Sequence, residues 1–121
     1  MRFQTAYSAV NSTFLPTAEQ TIIVSMKPSF VLSSHTARIR DLTSRHNVVN
    51  LRIFGSVLHG TDEEGSDLDL LVDPLPGTTL FDLGGLQAAL EDLLGVPVDV
   101  VTPCDLPVRI RAQVVAEARP L

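Results

Sequence analysis

Residues 51–73 read LRIFGSVLHGTDEEGSDLDLLVD. Two runs of strand formers flank a Gly55-Ser56 turn and an acidic loop. Asp67 and Asp69 stand one residue apart at the start of the second run. Side chains alternate faces along a strand with a period of two, so both carboxylates point the same way. Carboxylates held that close repel unless a cation lies between them. Upstream, Gly55-Ser56 turns into a short helical stretch that stops at Gly60. Backbone N–H groups left free at such a turn can hold an anion. A cation site beside an anion site points to nucleotide chemistry.

The flanking sequence completes an α/β pattern. Pro28 and Ser29 mark a helix start, and Val31, His35, Ile39, Leu42 and His46 recur on one helical face until Asn47 ends it. Val48 to Phe54 reads as the first core strand and Asp67 to Asp73 as the second. Pro74-Leu75-Pro76-Gly77 is a hard break. Thr78 or Thr79 can cap the next helix, whose inner side carries Leu83, Leu86, Leu90, Leu93 and Leu94. Gly84-Gly85 inside it costs helix stability and leaves room for a neighbour to approach closely. Gly95 is a C-terminal stop. Val96 to Val101 is the third strand. A last helix starts at Pro103 to Leu106 and is carried by Leu106, Ile110, Val114 and Ala118. The expected fold is α/β, a small mixed sheet with helices packed on it. In the third strand Val96, Val98 and Val100 face one way and Asp99 the other. If this strand lies beside the second, Asp67, Asp69 and Asp99 form one oxygen-only patch suited to Mg²⁺.

The chain has 121 residues, enough for one domain and a modest core. Its formal net charge of −5 argues against duplex nucleic acid as main partner, since phosphate neutralisation needs a basic surface. No apolar run is long enough to span a bilayer. Cys104 is the single cysteine, which fits a reducing cytoplasm. No Cys/His cluster has zinc spacing. Met1 to Ser25 is rich in Ser, Thr, Ala and Gln, and Asn11, Ser12, Thr13 and Pro16 interrupt any signal-peptide core. Thr21 to Val24 reads as a short strand or a linker. Residues 1–25 are therefore expected to be a poorly ordered extension or to lie outside the natural domain, with Met26 as the alternative start. Residues 26–121 form the domain.

Gly55-Ser56, Ser66-Asp67-Leu68-Asp69-Leu70 and the later Asp99 resemble the signature of the polymerase β-like nucleotidyltransferase superfamily. The spacing Gly55-Ser56-x-x-x-Gly60, then Ser66-Asp67-x-Asp69, is similar to its minimal branch. That branch holds small bacterial nucleotidyltransferases, many encoded beside HEPN-domain toxins. The resemblance runs from Met26 to the C-terminus. It implies that Asp67, Asp69 and Asp99 are catalytic and hold one or two Mg²⁺ ions, which in two-metal sites sit ~3.5–4 Å apart. It implies ATP as substrate, phosphates on Gly55, Ser56 and Ser66, and AMP passing to a hydroxyl with loss of pyrophosphate. Asp99 would activate that hydroxyl. The implied acceptor is a tyrosine of a HEPN-domain toxin, the chain acting as antitoxin, as a homodimer or a hetero-oligomer. One position departs: many members carry Ala-Arg before the glycine, and this chain has Leu58-His59. An Arg is a permanent cation near phosphate, whereas His is mostly neutral at pH 7.

Each residue also has a plainer reading. Asp67 and Asp69 could be solvated strand-edge carboxylates, although both sit in an otherwise apolar run. Asp99 could be an exposed edge residue. Gly55-Ser56 alone is a common turn, and Ser66 serves either phosphate or the turn before the strand. Asp62, Glu63 and Glu64 read as a solvated loop, and Asp73 as a turn residue. Arg52 faces away from Leu51 and Ile53 and reads as structural. Arg109, Arg111 and Arg119 read as the wet side of the last helix, His35 and His46 as helix-face residues. Two other functions fit the same fold: a non-catalytic antitoxin that neutralises by occupancy, and a transferase acting on a small hydroxyl compound.

Overall fold

The computed structural model describes residues 27–121. The expected extension over residues 1–25, the strand over Thr21 to Val24 and the start at Met26 lie outside the described residues. Helices α1 (Pro28–Ser34) and α2 (Thr36–Ser44) precede strand β1 (Val48–Phe54) and the one-turn helix α3 (Gly55–His59). Strand β2 (Leu68–Pro74), helix α4 (Leu80–Leu94) and strand β3 (Val98–Val101) follow. A 3-10 turn (Pro103–Asp105), helix α5 (Val108–Glu117) and strand β4 (Arg119–Pro120) end the chain.

The helix expected over residues 28–46 breaks at His35, whose φ is −129° and ψ 20°. The local sequence explains the break. Ser33 and Ser34 donate their hydroxyls to the Phe30 carbonyl at 3.0 and 3.1 Å, and Thr36 donates to Leu32 O at 3.1 Å. His35 Nδ1 lies 2.9 Å from Val31 O. Four consecutive side chains compete with the backbone ladder for the same carbonyls. The helix nonetheless resumes and ends before Asn47, which takes the left-handed conformation (φ 59°).

The sheet is mixed and four-stranded in the order β3-β2-β1-β4. β1 runs antiparallel to β2 and β4, and β2 runs parallel to β3 through the α4 crossover. Leu68, Leu70 and Val72 of β2 join Val98 and Val100 of β3 in the core beneath Ile39 of α2 and Leu86, Leu90 and Leu94 of α4. The alternate residues of β2 and β3, Asp69 and Asp99 among them, face the other side.

Thr79, rather than Thr78, caps α4, in a reciprocal box with Asp82. Thr78 instead donates its hydroxyl to Asn47 O at 2.6 Å, tying the β2–α4 loop to the entrance of β1. The room that Gly84-Gly85 leave is little used. A Cβ on Gly85 would sit 3.6 Å from the His46 ring, an ordinary contact, and one on Gly84 would meet nothing within 4 Å.

The last helix starts later than expected. Leu106 precedes Pro107, and a residue before proline is pushed out of the helical region; its φ is −80° and ψ 143°. The segment therefore splits into the 3-10 turn and α5. Leu106 still serves the core, being buried. The chain then returns beside β1 as β4, an unexpected strand of two residues that pairs Ile53 with Arg119. Arg119 is thus a strand residue, and Arg111 is half-buried, with Nη2 donating to Leu106 O at 2.9 Å. Neither is on a wet helical side. Among the described residues, no helix is long and apolar enough to cross a membrane.

Candidate active site

The site forms where three strand ends meet. β2 and β3 are parallel and β1 is antiparallel to β2, so the start of β2, the start of β3 and the end of β1 share one edge of the sheet. Asp69 pairs in register with Asp99 across β2 and β3, and with Phe54 across β1 and β2. Partners in register stand side by side on one face, so the Asp69 and Asp99 carboxylates project together. Asp67 lies one residue outside the paired strand and is exposed, as is Asp99; Asp69 is half-buried.

The electrostatics report how tightly these groups are placed. The Asp69 pKa is pushed up from 3.8 to about 6, first by burial, then by the negative charges of Asp99 and Asp67. The carboxylate of Asp69 is therefore disfavoured as an anion unless positive charge enters. The donors are all hard oxygens, the set that Mg²⁺ takes. Among the described residues no three such side chains already converge on one metal position. The residues nonetheless fit a cation by donor chemistry, by register and by mutual repulsion, which a cation would relieve.

Gly55 is required here for two reasons. Its φ is +75°, a conformation L side chains avoid, and a Cβ on it would strike Asp69 Oδ2 and lie 3.0 Å from Asp69 Cγ. The turn after β1 thus packs its bare backbone against the central carboxylate. Ser56 follows in the first turn of α3, half-buried, beside that contact. The phosphate-binding candidates Gly55 and Ser56 therefore adjoin the carboxylates.

Ser66 takes the turn role in this structure. Its Oγ accepts the Glu63 N–H at 2.9 Å, and its own N–H donates to Glu63 O at 3.0 Å. His59 turns toward α5, with Nε2 3.2 Å from Glu117 Oε1. Two residues read differently in three dimensions. Asp73 is a strand residue, not a turn residue; it accepts from Arg52 Nη2 at 2.6 Å and from the Asn50 side-chain amide at 2.8 Å. That pairing accounts for Arg52, which is buried and structural as expected. Asp62 is buried rather than solvated, and its Oδ2 accepts the Ser29 N–H at 2.8 Å. Its partner lies 33 positions away, so no local signal could have shown it.

Residues 37–121 match the family described as Nucleotidyltransferase domain. A protein adenylyltransferase MntA from Thermococcus cleftensis is 37% identical over 82 residues, 68% of this chain and 83% of that one. A solved structure described as a minimal nucleotidyltransferase superposes with a TM-score of 0.69 at 46% identity, covering 77% of this chain and 95% of the other. A crystal structure of a toxin–antitoxin with AMP-PNP shares the fold at TM-score 0.60 and 23% identity, covering 69% of each chain. The chain belongs to the nucleotidyltransferase family.

Proposed function

We propose that this chain transfers AMP from ATP to a tyrosine hydroxyl of a HEPN-type toxin in the cytoplasm and so acts as its antitoxin, using Mg²⁺. The observation that carries the reading is the in-register pairing of Asp69 with Asp99 against the bare backbone of Gly55. It supports a centre whose carboxylates would hold a polyphosphate through bound cations, with bare backbone beside them. Support for the adenylyl group comes from the relative named a protein adenylyltransferase. Support for a toxin partner comes from the toxin–antitoxin structure that shares this fold. A single exposed thiol, Cys104, agrees with a reducing compartment.

Asp67, Asp69 and Asp99 would hold the Mg²⁺, which supplies charge neutralisation of the triphosphate and polarises the reacting phosphoryl group. Gly55 lets the phosphates approach the backbone, and the Ser56 hydroxyl and N–H bind them. The acceptor oxygen forms its bond to the α-phosphorus as the bond to pyrophosphate breaks. The exposed Asp99, at the rim of the trio, takes the acceptor's proton.

The test incubates the protein with Mg²⁺, α-labelled ATP and the chain encoded in the adjacent reading frame. An Asp67→Ala/Asp69→Ala variant serves as control. The expected result is metal-dependent label on the partner's tyrosine, detected by mass, and absent with the variant. A stable complex without label would establish the occupancy reading instead. Neither label nor complex would move the acceptor to a small hydroxyl compound.

A further inference from the structure

Asp62 belongs neither to the carboxylate trio nor to the phosphate turn. Yet it is only 6% exposed, and a buried carboxylate persists only where something receives its charge. The start of α1 receives it. Burial by itself would raise the Asp62 pKa; hydrogen bonds from the Ser29 N–H and hydroxyl, with the Lys27 charge, hold it below the ordinary value. The loop that bears Asp62, residues 61–67, joins α3 to β2. Its near end is braced by the Thr61 N–H on Ser56 O at 3.0 Å, its far end by the Glu63–Ser66 turn. Asp62 supplies the tie between this loop and the helical layer. Asp67 is the last residue of this loop: the peptide that joins it to Leu68 donates its N–H to Pro97 O at 2.8 Å, while Asp67 itself has no register partner in β1 or β3, so the loop shares in setting its position.

We propose that Asp62 is a positioning residue: by tying the loop to Ser29 it sets Asp67 against Asp69 and Asp99, and the cation affinity of the trio depends on this contact between α1 and the loop. The inference rests on the nucleotidyltransferase reading of the site. It differs from that reading in locating part of the metal affinity in a residue that touches neither metal nor nucleotide.

Mn²⁺ is the probe, followed by its EPR signal on the full chain without nucleotide, with thermal melting in parallel. Groups that orient metal ligands typically change affinity by about tenfold or more when removed. Asp62→Ala is expected to weaken Mn²⁺ binding roughly tenfold. Asp62→Asn keeps an acceptor oxygen in place and is expected to stay close to the wild type. Asp62→Glu keeps the charge but lengthens the tie by one methylene; it is expected to weaken Mn²⁺ binding while the melting temperature holds. A capping role alone would tolerate Glu, and its loss in Asp62→Ala would lower stability without touching Mn²⁺ affinity. If Asp62→Ala fails to fold, Asp62→Glu decides. Wild-type Mn²⁺ affinity in Asp62→Glu, with binding lost in Asp67→Ala/Asp69→Ala, would overturn this inference alone. No Mn²⁺ binding by the wild type would overturn the site reading and this inference with it.

Discussion

Asp69 is half-buried at the start of β2, in a place that opposes its charge. Its pKa stands at about 6 against 3.8 in an unstructured chain, so the folded state binds the proton more tightly than the unfolded state. Below pH 4 the proton is on in both states and nothing is lost. Between about pH 4 and 6 the folded chain resists the ionisation that the unfolded chain accepts, so stability falls as pH rises through that window. Asp69→Asn removes the cost. At pH 7.5 and without divalent metal it is expected to stabilise the protein by about 1–2 kcal/mol, after discounting for partial exposure. It is also expected to abolish nucleotidyl transfer. Urea denaturation of both proteins at pH 4 and pH 7.5 checks this: the gap should be present at the higher pH and close at the lower. The sequence carried the placement of these carboxylates in part: a strand's period of two puts Asp67 and Asp69 on one side, whereas Asp99 joined them through the family resemblance, its own strand leaving an exposed edge position open. Asp62, Asp73 and Arg52 take their meaning from partners 21 to 33 positions away, which no window along the chain contains.

At the scale of elements, periodicity located β1, β2, β3 and α4 and missed what short-range competition decides. The break at His35 comes from four neighbouring side chains bonding back to carbonyls. The late start of α5 comes from Pro107 acting on Leu106. β4 is two residues long and half of it is proline, so no strand pattern exists to be read. α4 offers a direct test of what its glycines cost. Gly84 and Gly85 lie inside a helix of 15 residues, fully capped at its start. Since neither faces a crowding neighbour, they weaken the helix without a packing return. Gly84→Ala, at an exposed position, is expected to add about 1 kcal/mol. In a domain of this size that raises the melting temperature by about 4–8 °C. Differential scanning calorimetry reads the change directly. A fall in melting temperature would mean that α4 needs the flexibility of glycine at this point.

The described fold covers the β3 edge of its sheet while leaving open the end that carries the carboxylates. On the β3 side the outward N–H groups of Val98 and Val100 are taken by Glu91 and Gln87 of α4, at 3.0 and 3.1 Å. On the other side β4 ends in proline, which has no N–H to give. Among the described residues, strand addition at the β3 edge is therefore closed. Leu80 and Phe81, 84% and 91% exposed in the first turn of α4, are the most exposed large apolar side chains among the described residues. They sit at the end of β2 away from Asp69, since α4 runs back along the sheet from the close of β2. What remains at the active edge is a concentration of negative charge in a chain whose formal net charge is already −5. A divalent cation that bound only the folded trio would couple its binding to folding, stabilising the chain by RT ln(1 + [L]/Kd), about 2.7 kcal/mol at a hundredfold excess over Kd. Mg²⁺ is expected to raise the wild-type melting temperature at pH 7.5, and EDTA to reverse the rise. The shift should shrink as the pH drops below about 6, because Asp69 then holds its proton. In Asp69→Asn it should be largely lost at every pH. A Mg²⁺ shift that persists in that variant would place the bound ion elsewhere on this acidic surface, and the in-register carboxylate pair would lose its role as the cation's seat.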